Sequence, residues 1–318
     1  VPLVKELKRK QFHITAVFYA KDNNDCLLDG SLVNHKVHIS TKAGLLLFAL
    51  INPKRFVNFY INHLAKGTAI RWAAKRCSYR VTQTGDPKKR NTKLFRDIPV
   101  EPVLSDAEQN LRLLYSVSNA VINSIKNFYL PHPQLDQTLI TGHLNNIHPK
   151  YYIIQVSAGN NTTPFKNWPI QNWITVITKL SDALKNISFV IVGDAFEKNY
   201  AAPFENLKRS NCKILIGETT LPEVFNLVAF SSGYIGLDSG IMHMAVALQK
   251  KTLTIFGASD EKLYGYSTLD SSNHAMISSS ISCRPCSAWK NANRSRVIDP
   301  MQCPDFACLT NIKEEAVY

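Results

Sequence analysis

No stretch of these 318 residues reaches the roughly 20 consecutive apolar positions that a membrane-spanning helix needs. The longest apolar run, GLLLFALI at 44–51, suits a buried helix or a patch resting on a membrane surface. An initiator methionine and a basic-then-apolar leader are also missing, so Val1-Pro2-Leu3 reads as the interior of a longer chain rather than as a signal peptide. There is no RNP-like aromatic motif, helix-turn-helix or C2H2 finger, which argues against a nucleic-acid partner in spite of the charge. Walker A and GxGxxG loops are absent too. Acidic residues are few: 24 Asp and Glu stand against 37 Lys and Arg, a formal net charge of +13, with the excess concentrated in the first half. A field of that sign favours anionic partners such as phosphorylated sugars or an anionic membrane surface.

The 7 cysteines are too scattered for a disulfide scaffold. Cys26, Cys77 and Cys212 stand alone, as in a reducing compartment. Cys283 with Cys286, and Cys303 with Cys308, form two pairs similar to a ribbon-type zinc site, the second more loosely spaced than usual. Two readings stay open for this quartet, a structural zinc and plain or disulfide-forming cysteines. Neither is catalytic, because no open coordination position with a general base accompanies them.

The first half is irregular. Residues 3–12 have helical spacing, 14–19 and 35–40 read as strands, 55–76 as a helix interrupted near Gly67, and 79–81 as a short strand. Residues 82–102, with Gly85, Pro87 and the run Lys88-Lys89-Arg90, read as a solvated loop. Ser105 and Glu108 form a capping box that opens a helix expected over 105–125. The polar, proline-containing stretch 131–150 is the expected linker between an amino-terminal domain, 1–130, and a carboxy-terminal domain, 151–318.

From 151 the rhythm becomes regular. Strands at 151–156, 187–192, 213–216, 233–237 and 252–256 alternate with helices at 170–184, 196–209, 221–230 and 242–248. Such alternation implies parallel strands joined by right-handed crossovers, an α/β, Rossmann-like sheet. In a sheet of this kind the loops after successive strands gather at one rim, where ligands bind. Asp238-Ser239-Gly240-Ile241-Met242-His243 would turn from a strand into a helix whose first amides suit a phosphate. An N-cap made by Asp238 or Ser239 is the equally simple alternative. The loop at 157–169 is long, rich in small and hydroxyl residues, and carries the cation Lys166, which suits a diphosphate.

Lys166-Asn167-Trp168-Pro169, Val192-Gly193 with Glu197 nearby, Leu221-Pro222-Glu223, Asp238 to His243, Ala245-Val246-Ala247 and Ile255-Phe256-Gly257 occur in that order. Together they resemble glycosyltransferase family 9, the ADP-heptose:lipopolysaccharide heptosyltransferases. The similarity runs from about 151 to 259 and is loose before that. The resemblance implies a GT-B fold, two Rossmann-like domains facing a cleft, the amino-terminal one incomplete here. It implies that Ser157 and Lys166 meet the diphosphate of an ADP-sugar donor and that Glu197 sits near the ribose or base. Asp238 would lie against the heptose, and Ser239, Gly240 and His243 would close the phosphate end.

The implied activity is inverting, metal-independent transfer of heptose or a related sugar from ADP to an anionic lipopolysaccharide-core acceptor. No cofactor is required, and the chain is expected to be cytoplasmic, peripheral at the inner face of the inner membrane. The family's general base, an aspartate in a Gly-Asp pair after the first strand, is expected upstream of Val1. Asp22 and Asp25 are the candidates within the chain, whereas Gly85-Asp86 follows the wrong strand. The alternatives are a truncated or degenerate member that binds a nucleotide sugar without transferring it, and another GT-B enzyme such as a nucleotide-sugar epimerase.

Overall fold

The computed structural model describes residues 1–18, 27–28, 30–41, 44, 58–61, 79–82, 96–97, 104–114, 118–158, 164–286 and 303–318. Asp22, Asp25, Gly85-Asp86 and the basic run at 88–90 lie outside them. The chain forms two compact units, Val1–Asn123 with Trp289–Arg294, and Ser124–Ala288 with Ser295–Tyr318.

In the first unit, helix α1 (Pro2–Arg9) begins on a proline, whose missing N–H costs nothing in a first turn, and ends in Lys8 and Arg9, charges that suit a helix carboxyl end. Glu6 is buried on it, accepting two 2.7 Å bonds from Arg9 and another from the Ser118 hydroxyl. Strands β1 (Thr15–Phe18) and β2 (His35–His38) pair in parallel. Strands β3 (Asn58–Ile61), β4 (Tyr79–Thr82) and β5 (Arg96–Asp97) form a second parallel sheet. Strand β3 corrects the helix expected over 55–76. Its Asn-Phe-Tyr-Ile sequence is aromatic and β-branched, and strand pairing outweighs the apparent helical spacing. Helix α2 (Asp106–Arg112) carries the expected Ser105–Glu108 capping box, but no helix is present at 118–123. Serine, asparagine and valine dominate the sequence there and are weak helix formers.

The second unit is built on six parallel strands: β6 (Tyr151–Gln155), β7 (Ser188–Gly193), β8 (Cys212–Ile216), β9 (Gly233–Leu237), β10 (Lys251–Phe256) and β11 (His274–Ser278). Their spatial order is β11-β10-β9-β6-β7-β8. The chain starts in the middle, at β6, winds outward to β8, and then crosses to β9 and winds the other way. That reversal between β6 and β9 is the switch point of a dinucleotide-type sheet, and the crevice outside the strand ends there is where ligands bind. The first five strands match the regular alternation of the sequence. The sixth does not, because His-Ala-Met-Ile-Ser is short and has polar ends.

Helices α3 (Ile170–Ala183), α4 (Ala201–Glu205), α5 (Leu221–Phe230), α6 (Gly240–Ala247), α7 (Glu261–Tyr264) and α8 (Ala307–Thr310) complete this unit. The single helix expected over 196–209 is instead a 3-10 segment, Ala195–Tyr200, followed by the short α4. Pro203 lacks an N–H for an α-helical bond to the preceding turn, which fits the change of winding. Trp168 and Trp173 are almost fully buried, meet edge to face at 5.1 Å, and belong to the core with Val176, Ile177, Ile154, Ile191, Leu237 and Ile255. Trp168 Nε1 donates to the Ile312 carbonyl at 3.0 Å, which holds the end of the chain against this core. Residues 124–150 also belong to this unit. Ile140 is fully buried, the Asp136 N–H donates to Asn226 at 2.7 Å, and His143 Nε2 lies 3.1 Å from Glu223 on α5. Among the described residues, no helix is long and apolar enough to cross a membrane.

Candidate active site

The site gathers at the carboxyl ends of β6, β7 and β9, beside the switch point. Ser157 follows β6 and is buried. Lys166 ends a 3-10 turn, Pro164–Lys166, and its flanks are fixed: Phe165 is buried, and Trp168 is anchored in the core. Asp238 follows β9, and Ser239 caps α6, its hydroxyl accepting from the Met242 N–H at 3.4 Å. The N-cap reading of this turn is therefore correct for Ser239, and Asp238 is left with a different role.

That role is an ion pair. Lys166 Nζ donates to Asp238 Oδ2 at 2.7 Å and to the Asp238 carbonyl at 3.2 Å. The side chains are 8% and 4% exposed, so the pair is largely shielded from water. On the other side of Asp238, Oδ1 lies 4.0 Å from His243 Nε2. His243 is 41% exposed, so a ligand can reach the member of this chain that faces outward. Its Nδ1 lies 2.7 Å from the Tyr266 hydroxyl. The geometry of α6 also leaves the amides of Gly240 and Ile241 without acceptors inside the helix, and they add partial positive charge at the same place.

A second network lies immediately behind. Gln155, the last residue of β6, accepts from Tyr234 at 2.8 Å and from the Ser239 hydroxyl. The Tyr234 hydroxyl oxygen also lies 2.9 Å from the Leu237 carbonyl, which shares the hydroxyl's one hydrogen with Gln155, and accepts from the Leu237 N–H at 3.0 Å. These bonds tie the end of β6 to the turn after β9 across the switch point. Burial pushes the Tyr234 phenol well above its ordinary pKa, and the nearby carboxylates of Asp238 and Glu197 add to that. Tyr234 therefore stays neutral, as a donor that holds the turn.

Glu197 sits in the 3-10 segment after β7 and closes a capping box with Asp194, whose N–H donates to Glu197 Oε2 at 3.0 Å. The side chain is buried, yet among the described residues Oε1 has no hydrogen-bond partner. A buried carboxylate oxygen without a donor is costly, so the position suits a ligand hydroxyl. Gly193 makes room for it, since a Cβ there would lie 2.8 Å from Glu197 Oε2.

The structure brings Ser157, Lys166, Glu197, Asp238, Ser239, Gly240 and His243, the residues expected from the sequence, to this rim. It joins Lys166, Asp238 and His243 directly. Gln155, Tyr234 and Tyr266 are further neighbours of the candidate site, outside the motifs of the sequence. A buried glutamine closing the apolar strand Tyr-Tyr-Ile-Ile-Gln was the available signal for the first; nothing local marks the other two.

Further along the rim, a cavity of about 390 Å³ is bordered by Glu261, Ser278, Ser279 and Arg284. Arg284 is not a cation awaiting an anion there. Its nitrogens donate to the carbonyls of Gly257, Ser279 and Ser259 and to Glu261, so it pins the turn after β10. The four carboxy-terminal cysteines carry no disulfide, and Cys286 and Cys308 are buried in the core. Burial, with Cys286 nearby, raises the Cys308 thiol to about 12. Among the described residues no group of three or more His, Cys, Asp or Glu side chains is gathered to hold a metal ion.

Comparison with known families matches glycosyltransferase family 9 (heptosyltransferase) over residues 105–295. The chain is 31% identical over 113 residues to lipopolysaccharide heptosyltransferase 2 of Escherichia coli K12, a match covering 34% of this chain and 31% of that protein. It thus spans about a third of the length of this curated relative. The solved structure of Escherichia coli ADP-heptose lipopolysaccharide heptosyltransferase II superimposes with a TM-score of 0.65 at 16% identity, covering 87% of this chain and 85% of that one. A family 9 glycosyltransferase from Veillonella parvula gives 0.64 at 14% identity, covering 87% and 80%. At these identities the likeness speaks to the fold, which is α/β with parallel sheets and of the GT-B class.

Proposed function

The chain belongs to glycosyltransferase family 9, the heptosyltransferases, and from that premise we propose that it moves heptose, or a related sugar, from an ADP-sugar to a lipopolysaccharide-core acceptor. The donor occupies the rim at the switch point of the second unit. Lys166 and the first amides of α6 face the diphosphate, His243 closes its outer side, Asp238 lies between them against the sugar, and Glu197 Oε1 accepts from a ribose hydroxyl.

The observation that carries this reading is the buried Lys166–Asp238 pair at the start of α6. A buried ion pair stabilises a fold no better than well-packed apolar residues of the same volume. Its presence at the ligand edge of the sheet is therefore better explained by charge held ready for a substrate. In the reaction an acceptor oxygen forms a bond to C1 of the sugar on the face opposite ADP, which inverts the centre. The bond from C1 to the diphosphate oxygen breaks, and ADP leaves with its electron pair. Negative charge grows on the diphosphate as this happens, and preorganised cations and amides stabilise it in the transition state without a metal. A general base takes the acceptor proton. The resemblance assigns that role to an aspartate of the amino-terminal domain, and the candidates Asp22 and Asp25 lie outside the described residues.

The net charge of +13 supports an anionic acceptor and a peripheral place at an anionic membrane surface. Incubation of the full chain with ADP-heptose and a heptose-deficient lipopolysaccharide core tests the proposal. Mass spectrometry should find one heptose added per ADP released, unchanged by EDTA. ADP binding without transfer would instead favour a family member that only holds the donor.

A further inference from the structure

His243 is fixed from two sides, and one of them lies outside every motif of the chain. Nδ1 of its ring is 2.7 Å from the Tyr266 hydroxyl, and the two rings meet nearly perpendicular, at 77° and 5.6 Å. Nε2 faces Asp238 Oδ1 at 4.0 Å. An ionised carboxylate can only accept, so the arrangement favours a hydrogen on Nε2 and leaves Nδ1 to accept from the phenol.

Tyr266 is itself held firmly. It is 8% exposed, and Phe128 meets its ring edge to face at 4.9 Å. Gly265, just before it, packs against the Met276 side chain and the Glu261 carbonyl so closely that a Cβ would not fit. The N–H groups of Leu269 and Asp270 both donate to the Tyr266 carbonyl at 3.0 Å. Two residues beyond Phe128, the Leu130 N–H donates to the Ala247 carbonyl at 2.8 Å, the last residue of the helix that carries His243. The phenol and the imidazole are thus secured to the same segment from opposite ends.

We propose that Tyr266 is a positioning residue of the donor site, its hydroxyl holding His243 in the Nε2–H form with that hydrogen directed toward the Asp238 side, where the donor diphosphate is read. The inference rests on the donor-site reading above. Tyr266→Phe keeps the ring against Phe128 and removes the single hydroxyl, so it separates the hydrogen bond from the packing.

Long-range 1H–15N NMR of the imidazole, at a pH where His243 is neutral, should show one tautomer with Nε2 protonated in the unaltered chain and a mixture in Tyr266→Phe. Calorimetric titration of the full chain with ADP should show affinity lowered by about 2- to 12-fold in Tyr266→Phe, the worth of one ordinary hydrogen bond. His243→Ala should lose affinity, and adding Tyr266→Phe to it should change nothing more. An unchanged tautomer in Tyr266→Phe, or an affinity loss that simply adds to that of His243→Ala, would overturn the proposal. ADP affinity unaltered in His243→Ala would instead sink the donor-site reading. A tautomer shift in Tyr266→Phe would then still establish that Tyr266 sets the ring, so the two failures are distinguishable.

Discussion

Replacing Asp238 by asparagine keeps the shape of the turn and removes one charge from a largely dehydrated pair. Lys166 Nζ lies 2.7 Å from Asp238 Oδ2, with side chains 8% and 4% exposed, so water replaces little of what is lost. The ammonium would then face an amide oxygen in place of the carboxylate, beside the same backbone carbonyl. Breaking a buried pair from one side costs about 3–5 kcal/mol, because the surviving charge stays buried and uncompensated. In a folding unit of this size, 1 kcal/mol moves Tm by about 2–4 °C, so the second unit should melt about 6–20 °C lower. Differential scanning calorimetry of the full chain reads this directly. Combining Asp238→Asn with Lys166→Met removes both charges and should restore most of the lost stability. A single variant that melts within about 2 °C of the unaltered chain, or a double variant no more stable than the single one, would refute the reasoning.

Gly193→Ala should destabilise the second unit by about 1–3 kcal/mol through overpacking. Because the new Cβ would lie 2.8 Å from Glu197 Oε2, ADP affinity should fall as well; calorimetry showing normal affinity would mean that Glu197 does not contact the donor. Acid should also weaken this unit. Burial alone would raise Glu261 and Glu223, yet both sit below the ordinary carboxylate value, Glu261 through its own backbone N–H and Arg284, Glu223 through the Thr220 amide and hydroxyl and His143. A carboxylate whose pKa is lower when folded stabilises above its unfolded pKa, and that contribution is lost as pH falls through the folded value. The urea midpoint should therefore hold from pH 7 to about 5 and fall below about 4, with the fall reduced in Glu261→Gln. A midpoint independent of pH down to about 3 would contradict this.

The second unit was legible because its signals are local and repeated. Apolar strands such as Ser-Phe-Val-Ile-Val-Gly alternate with helices of regular apolar spacing, and in the first unit Ser105 with Glu108 announces α2 in the same local way. The gathering of the candidate residues at one rim followed from that rhythm, since parallel strands bring the loops after them to one edge. What stayed hidden depends on contacts between distant residues. Tyr234 holds Gln155 across 79 positions, and Tyr266 reaches His243 across 23, neither within a recognisable spacing. Strand β11 was missed because its burial comes from pairing with β10 rather than from an apolar run of its own. In the first unit β3 looked helical because Phe56, Phe59 and Tyr60 fall three to four apart, a pattern that short strand sequences can share.

Titration of the full chain with ADP tests the central claim most directly, that the Lys166–Asp238–His243 rim is a nucleotide-sugar donor site. The control is the Lys166→Met, Asp238→Asn double variant, which removes the charges while keeping the fold. The account predicts saturable binding of one ADP per chain in the unaltered protein and at least about tenfold weaker binding in the double variant, the loss expected when a charge-assisted contact worth about 1.5–3 kcal/mol is removed. No ADP binding by the unaltered chain, or equal affinity in the folded double variant, would contradict it.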